Sequence, residues 1–146
     1  MKVFRTASCL VVLGLLLAAT GCGKKGPPFL PEKSFHLQVS ALRAEWDGNY
    51  FLLSGRISRP EKAKETVSGC RVHFAQYPLE DPPCETCPVE FHGYHGFGPE
   101  VVQEGGFSCK VPGKMKGQVY FFKVHLIGTE GVLGPASNQV RIDVKP

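Results

Sequence analysis

Tyr120-Phe121-Phe122-Lys123-Val124-His125-Leu126 is the stretch that decides the fold. Tyr120, Phe122, Val124 and Leu126 alternate with Phe121, Lys123 and His125, and that period of two sets four large apolar side chains on one face of an extended strand. After a loop from Gly128 to Asn138, Val140, Ile142 and Val144 alternate in the same way. Two such runs joined by one glycine-containing loop predict a hairpin.

Upstream the same period recurs. Leu37 and Val39, then Leu42 and Ala44, alternate with polar neighbours, and Asp47-Gly48-Asn49 is a turn signal before Tyr50-Phe51-Leu52-Leu53, which predicts a second hairpin. Val72 and Phe74 alternate with Arg71, His73 and Ala75 in a further strand, and Phe91, Val101-Val102 and Phe107 to Val111 mark shorter ones. A helical period of useful length is missing. The 12 prolines and 17 glycines fall mainly between the runs and punctuate them into short strands, the pattern of an all-β antiparallel β-sandwich.

The last two strands, with Tyr120 at the start of the first and Gly134-Pro135-Ala136-Ser137-Asn138 before the second, resemble those of a fibronectin type III domain. The resemblance extends more weakly over Phe35 to Pro146. It implies an immunoglobulin-like sandwich in which Tyr120 forms the tyrosine corner. The family usually fills its core with a tryptophan on the second strand; the corresponding position here is Gly55, and Trp46 is expected to fill the space instead.

The N-terminal segment has a different character. Lys2 and Arg5 precede an apolar run from Leu10 to Ala19, then Thr20, Gly21 and Cys22, an order that resembles a bacterial lipoprotein signal. A membrane-spanning helix is the competing reading, but ten strongly apolar residues suit a signal-peptide core better than the roughly 20 a bilayer span needs. Ala19 stands where such signals usually carry Leu. The expected organisation is a signal peptide over residues 1–21, a lipidated tether over 22–33 and a β-sandwich over 34–146. The resemblance implies diacylglycerol on the Cys22 thiol and an acyl chain on the freed amine, and two or more chains suffice for stable anchoring in membrane lipid. Gly23, where an aspartate would signal inner-membrane retention, favours the outer membrane, with the domain facing the periplasm.

Gly26, Pro27, Pro28 and Pro31 deny the tether helix and ladder hydrogen bonds and favour an extended spacer. Cys22-Gly23-Lys24-Lys25-Gly26-Pro27, with Phe29 and Pro31, also resembles the start of the small lipoproteins that assist assembly of the lipopolysaccharide translocon, although those have no large domain after it. With Lys2 and Arg5 removed, 15 basic side chains face 13 acidic ones. A net charge this small excludes a nucleic-acid footprint.

Four cysteines remain after Cys9 leaves with the signal and Cys22 is acylated, and an exported protein would meet an oxidising compartment. Cys70 lies on the face of Val72 and Phe74, and Cys109 alternates with Phe107 and Val111, so both are expected to enter the core from facing strands. A Cys70–Cys109 bond would span the sheets and close a loop of about 40 residues, for roughly 3–4 kcal/mol; two buried free thiols are the alternative. Cys84-Glu85-Thr86-Cys87-Pro88 is expected to close as a small structural clip stiffened by Pro82, Pro83 and Pro88.

His92 and His95 follow, so Cys84, Cys87, His92 and His95 together offer the two sulfurs and two nitrogens that tetrahedral zinc accepts. Their spacing is much shorter than that of a zinc finger, and the favoured reading is a disulfide beside solvated histidines in a glycine-rich loop, Gly93 to Pro99, with no cofactor. No phosphate loop, nucleophile elbow or paired carboxylates mark a catalytic site. The expected function is therefore that of a binding or scaffolding module, not an enzyme, with an envelope protein as partner.

Overall fold

The computed structural model describes residues 34–60, 64–84, 87–104, 106–113 and 115–146. The expected signal peptide, the lipidated Cys22 and the tether lie outside them. Nine strands are present among the described residues: β1 (Gln38–Trp46), β2 (Tyr50–Ser58), β3 (Val67–Pro78), β4 (Gly93–Phe97), β5 (Val102–Gln103), β6 (Gly106–Pro112), β7 (Gln118–Gly128), β8 (Leu133–Ala136) and β9 (Val140–Val144). One 3-10 turn, Pro99–Val101, precedes β5.

They form two antiparallel sheets. The first has the order β1-β2-β6-β5; the second has β4-β3-β7-β8, with β9 also on β7. The expected C-terminal hairpin is β7 with β9, in register from Gln118↔Val144 to Phe122↔Val140. What the alternation did not show is β8, a four-residue strand inside the predicted loop that pairs with the other half of β7.

The β1–β2 hairpin closes as its turn residues demand. One carboxylate oxygen of Asp47 accepts from the backbone N–H groups of Asn49 and Tyr50, at 2.9 and 2.7 Å, and Gly48 takes φ 105°, which a glycine tolerates without strain. Within β1 the inward positions change parity between Val39 and Leu42, both buried. A bulge makes this possible: pairing with β2 shifts between Ser40 and Arg43, and Ala41 takes φ 51°.

Asn138 closes the gap the bulge leaves. Its side-chain oxygen accepts from the Leu42 N–H at 2.8 Å, and its amide donates to the Leu42 carbonyl at 3.1 Å. Next to it Ser137, itself buried, accepts the Val124 N–H through its hydroxyl at 2.9 Å, and its own N–H donates to the Val124 carbonyl. The Gly134 to Asn138 stretch thus fastens the edge strand of one sheet to the central strand of the other.

Between the sheets lies the main core, with Leu37, Val39, Phe51, Leu53, Val72, Phe107, Val111, Phe122, Val124 and Leu126 among its most buried members. Phe51 occupies the centre at one end, with ring centroids 4.5 Å from Tyr120 and 4.9 Å from Phe122. Trp46 does not fill the space opposite Gly55. It covers the end of the sandwich, 4.5 Å from Phe51 and so close over Gly113 that a Cβ there would lie 2.2 Å from the indole. Gly55 is required for another reason: a Cβ there would lie 2.7 Å from Val39 Cγ1 and 3.1 Å from the Ser40 carbonyl, against the bulge.

Gly55→Ala would gain about 0.4–1 kcal/mol from a less flexible unfolded chain. Overpacking a buried, β-branched neighbour costs about 1–3 kcal/mol, so the overpacking decides. The variant is expected to unfold at a lower urea midpoint than the parent with the same slope.

Candidate binding surfaces

The five-stranded sheet buries side chains on two faces, because apolar residues sit on both sides of β3 and β7. On the inner side, Phe74 and Gln76 of β3, His95 of β4, Tyr120 and Phe122 of β7, and Phe51, Val111 and Pro112 of the other sheet line a cleft of about 250 Å³. It lies beside edge strand β4, and the His95 ring stacks on Phe74 with centroids 5.0 Å apart. Tyr120 forms its floor with the hydroxyl turned away, donating to the Met115 carbonyl at 3.1 Å and accepting from the Met115 N–H at 3.3 Å. This is the tyrosine corner geometry, a hydroxyl bonded to the backbone a few residues upstream. Such a cleft, mostly aromatic with a few polar groups at its mouth, suits one apolar side chain or a small apolar ligand.

On the outer side, Ala75, Val119 and Phe121 are buried under Tyr77, Leu79, Val89 and Phe91. The β3–β4 connection folds back over the sheet to make this second core. Its tip carries the Cys84–Cys87 disulfide, with Cα atoms 5.1 Å apart, and the Tyr77 hydroxyl donates to the Glu90 carbonyl at 3.0 Å. The expected clip is therefore formed, and it stiffens a loop that has its own hydrophobic purchase.

The zinc arrangement is not assembled. Cys84 and Cys87 are bonded to each other, and the two histidines serve opposite faces: His95 lies in the cleft, whereas His92 rests 5.2 Å from the Tyr77 ring and accepts the Gln76 N–H at 3.4 Å. Gly93–Phe97 is not a loop with solvated histidines but edge strand β4, in register with β3 from Cys70↔Phe97 to Phe74↔Gly93. Phe91, expected in a strand, precedes it and belongs to the outer core. Glycine weakened the strand signal there, yet Gly93 fits because a Cβ would press on the Phe74 ring at 3.3 Å.

Cys70 and Cys109 enter the main core from opposite sheets as expected, but they are free thiols and the inter-sheet bond is not formed. Burial pushes each thiol up to about 12, with Glu100 adding to the effect on Cys70, and Cys70 to that on Cys109. Because the thiolate is the species that exchanges, neither sulfur can oxidise readily once the core has closed.

The lower half of the outer face was not found from the sequence. Cross-strand register places Arg71 beside His125 and His73 beside Lys123, with Tyr94 of β4 on the other flank of His73. The His73 ring centroid is 5.2 Å from that of His125, 5.7 Å from Tyr94 and 6.3 Å from Phe91. His73 is held below the ordinary histidine range, first by burial and then by His125, Arg71 and Lys123. The only sequence signal was the recurrence of basic residues at outward positions of β3 and β7; their meeting depends on register.

No family model matches the chain, and no curated protein matches it. Among solved structures, one described as "Myokine structure" aligns over 77% of this chain and 100% of its own, with TM-score 0.51 and 13% identity. The sixth fibronectin type III domain of human fibronectin type III domain containing protein 3 aligns over 85% of this chain and 91% of its own, with TM-score 0.47 and 16% identity. The fold is a fibronectin type III-like antiparallel β-sandwich.

Two outcomes follow from these sites. Alkylated without reductant, the folded protein should take no label at Cys70 or Cys109, and both should label once it is unfolded; protection after unfolding would reveal an inter-sheet bond. Secondly, because the His73 value is lowered on folding, the unfolded chain binds that proton more readily. Stability is then full above about pH 6.5 and is lost as pH falls through the lowered value. The urea midpoint should drop between pH 7 and pH 5, and His73→Gln should remove part of the drop.

Proposed function

We propose that the protein is a membrane-anchored lipoprotein of the bacterial envelope, held in the outer membrane by acyl chains on Cys22, whose sandwich binds or spaces another envelope protein. The observation that carries the binding role is the fibronectin type III-like sandwich with an aromatic cleft open beside the free edge of β4. Apolar clefts of this kind accept an anchor side chain from a partner, and one well-filled anchor can carry much of the affinity. The order Lys2, Arg5, Leu10 to Ala19 and Cys22 supports the anchor, and Gly26 to Pro31 would hold the domain off the membrane.

Mass spectrometry of the protein purified from membranes should find Cys22 as the first residue with diacylglycerol and a further acyl chain, and Cys22→Ser should abolish both. Cross-linking in intact envelopes should capture a protein partner, and the cleft-mouth variant Gln76→Arg should lower its recovery about tenfold while the protein stays folded. Recovery of monomer alone, under conditions in which other envelope complexes survive, would remove the interaction reading.

The resemblance of Cys22 to Pro31 to translocon-assembly lipoproteins supports a second reading, in which the lipid and the first mature residues act and the sandwich is accessory. A chain ending after Pro31 separates the two: retained function in translocon assembly selects the second.

A further inference from the structure

The outer face of the five-stranded sheet is divided. Its upper half is sealed by the disulfide loop, and its lower half carries Arg71, His73, Lys123 and His125, all partly buried, on two adjacent rungs. Arg71 faces His125 and His73 faces Lys123 on these rungs, so each sets a fixed cation beside an imidazole that would gain a like charge, a destabilising cross-strand pair, on taking up a proton. Among the described residues the ion pairs are His36 with Glu65 and Arg141 with Asp143, and neither Arg71 nor Lys123 enters one.

The cationic groups are held in place without being neutralised. The Arg71 guanidinium lies 5.0 Å over the Tyr94 ring, and the Lys123 ammonium lies 4.9 Å over the Phe91 ring. His125 donates through Nδ1 to the Gly134 carbonyl at 2.9 Å, which fixes its ring and leaves Nε2 to face away from that bond. Beneath them, His73 Nε2 is closed off from solvent and has no hydrogen-bond partner. A closed-off imidazole nitrogen without a partner lies among two cations that no carboxylate neutralises, and local conflicts of this kind concentrate at functional sites.

We propose that this face binds a phosphate group, gripped by Arg71, Lys123 and His125, with His73 as the positioning residue that takes up a proton beneath it. A guanidinium fork, an ammonium and an imidazole on adjacent rungs of two strands offer the several donors that the oxygens and delocalised charge of phosphate accept. The anion supplies the charge the two rungs lack, so its binding should raise the affinity of His73 for a proton. Reciprocally, a phosphodiester, whose own charge is constant near neutral pH, should be held more tightly as pH falls. The groups facing His73 are Arg71 on its own strand, Tyr94 on β4, Phe91 from the loop, and Lys123 and His125 on β7. None of them is an acid that could substitute for the ligand.

The test follows the ring resonances of His73 and His125 in the full chain while sodium pyrophosphate is added at pH 6, and in parallel while dihexanoyl phosphatidylglycerol is added below its micelle concentration. Shifts with pyrophosphate alone identify free phosphate as the ligand, shifts with the lipid alone identify a headgroup, and either result supports the site. Binding of the lipid, whose phosphodiester keeps a single charge across this range, should be tighter at pH 5.5 than at pH 7.5, by about tenfold for each unit by which it raises the His73 pKa. The double variant Arg71→Gln/Lys123→Gln should lose at least about tenfold in affinity with its core resonances unmoved. The proposal is overturned if neither probe shifts the two histidines, if acetate shifts them at the same concentration as pyrophosphate, or if the folded double variant binds like the parent.

Discussion

Two hydrogen bonds from the Asn138 side chain to the backbone of Leu42 hold the sandwich in its observed form. A strand presents alternate residues to one face, so Val39 and Leu42 cannot both be buried unless one residue is extruded between them. The bulge at Ala41 does this and leaves the N–H and carbonyl of a buried residue without partners in β2. Each would cost about 1–3 kcal/mol if left unmade. Asn138 satisfies both, and it is held for that task by Ser137, which is bonded in turn to the backbone of Val124 in the opposite sheet. Gly55 belongs to the same constraint, since the strand beside the bulge comes too close to leave space for a Cβ.

That clasp joins the sheets along one side, where β1 meets β8 and β9. On the other side the chain crosses from β4 through the Pro99–Val101 turn to β5, with Val101 buried in the core, and the cleft lies beside β4 with Phe74, His95, Val111 and Pro112 among its lining residues. The aromatic set of Phe51, Tyr120 and Phe122 fills the interior up to this opening, while Trp46 covers the end over Gly113. A core with a covered end and an open side is suited to receive a side chain from outside without losing its own packing.

The outer sheet face follows from composition on β3 and β7. Ala75, Val119 and Phe121 require cover, and the β3–β4 connection supplies it, with Pro82, Pro83 and the Cys84–Cys87 bond restricting the conformations it can adopt. The cover ends at Phe91. Beyond it Arg71, His73, Lys123 and His125 share two rungs, each cation packed on a ring at the boundary. The Arg71 and Lys123 charges there are pinned over rings and meet no carboxylate among the described residues.

The sequence alone determined what depends on near neighbours. Period-two alternation from Tyr120 to Leu126 and from Val140 to Val144 marked the β7–β9 pair, Asp47-Gly48-Asn49 marked the β1–β2 turn, the spacing of Cys84 and Cys87 marked a clip, and Tyr120 with Gly134 to Asn138 carried the resemblance that the fold bears out. These signals are legible because strand parity, turn chemistry and short rings are set by residues a few positions apart. Tertiary structure decided the rest: the strand hidden in Gly93–Phe97, the extra strand β8, the reduced state of Cys70 and Cys109, the outer core and the cationic rungs. Each turns on which residues lie opposite one another across strands distant in sequence, or on which of two apolar faces a loop comes to cover. A glycine-rich edge strand gains its identity from the strand beside it, and four basic side chains come together only when register sets them on adjacent rungs.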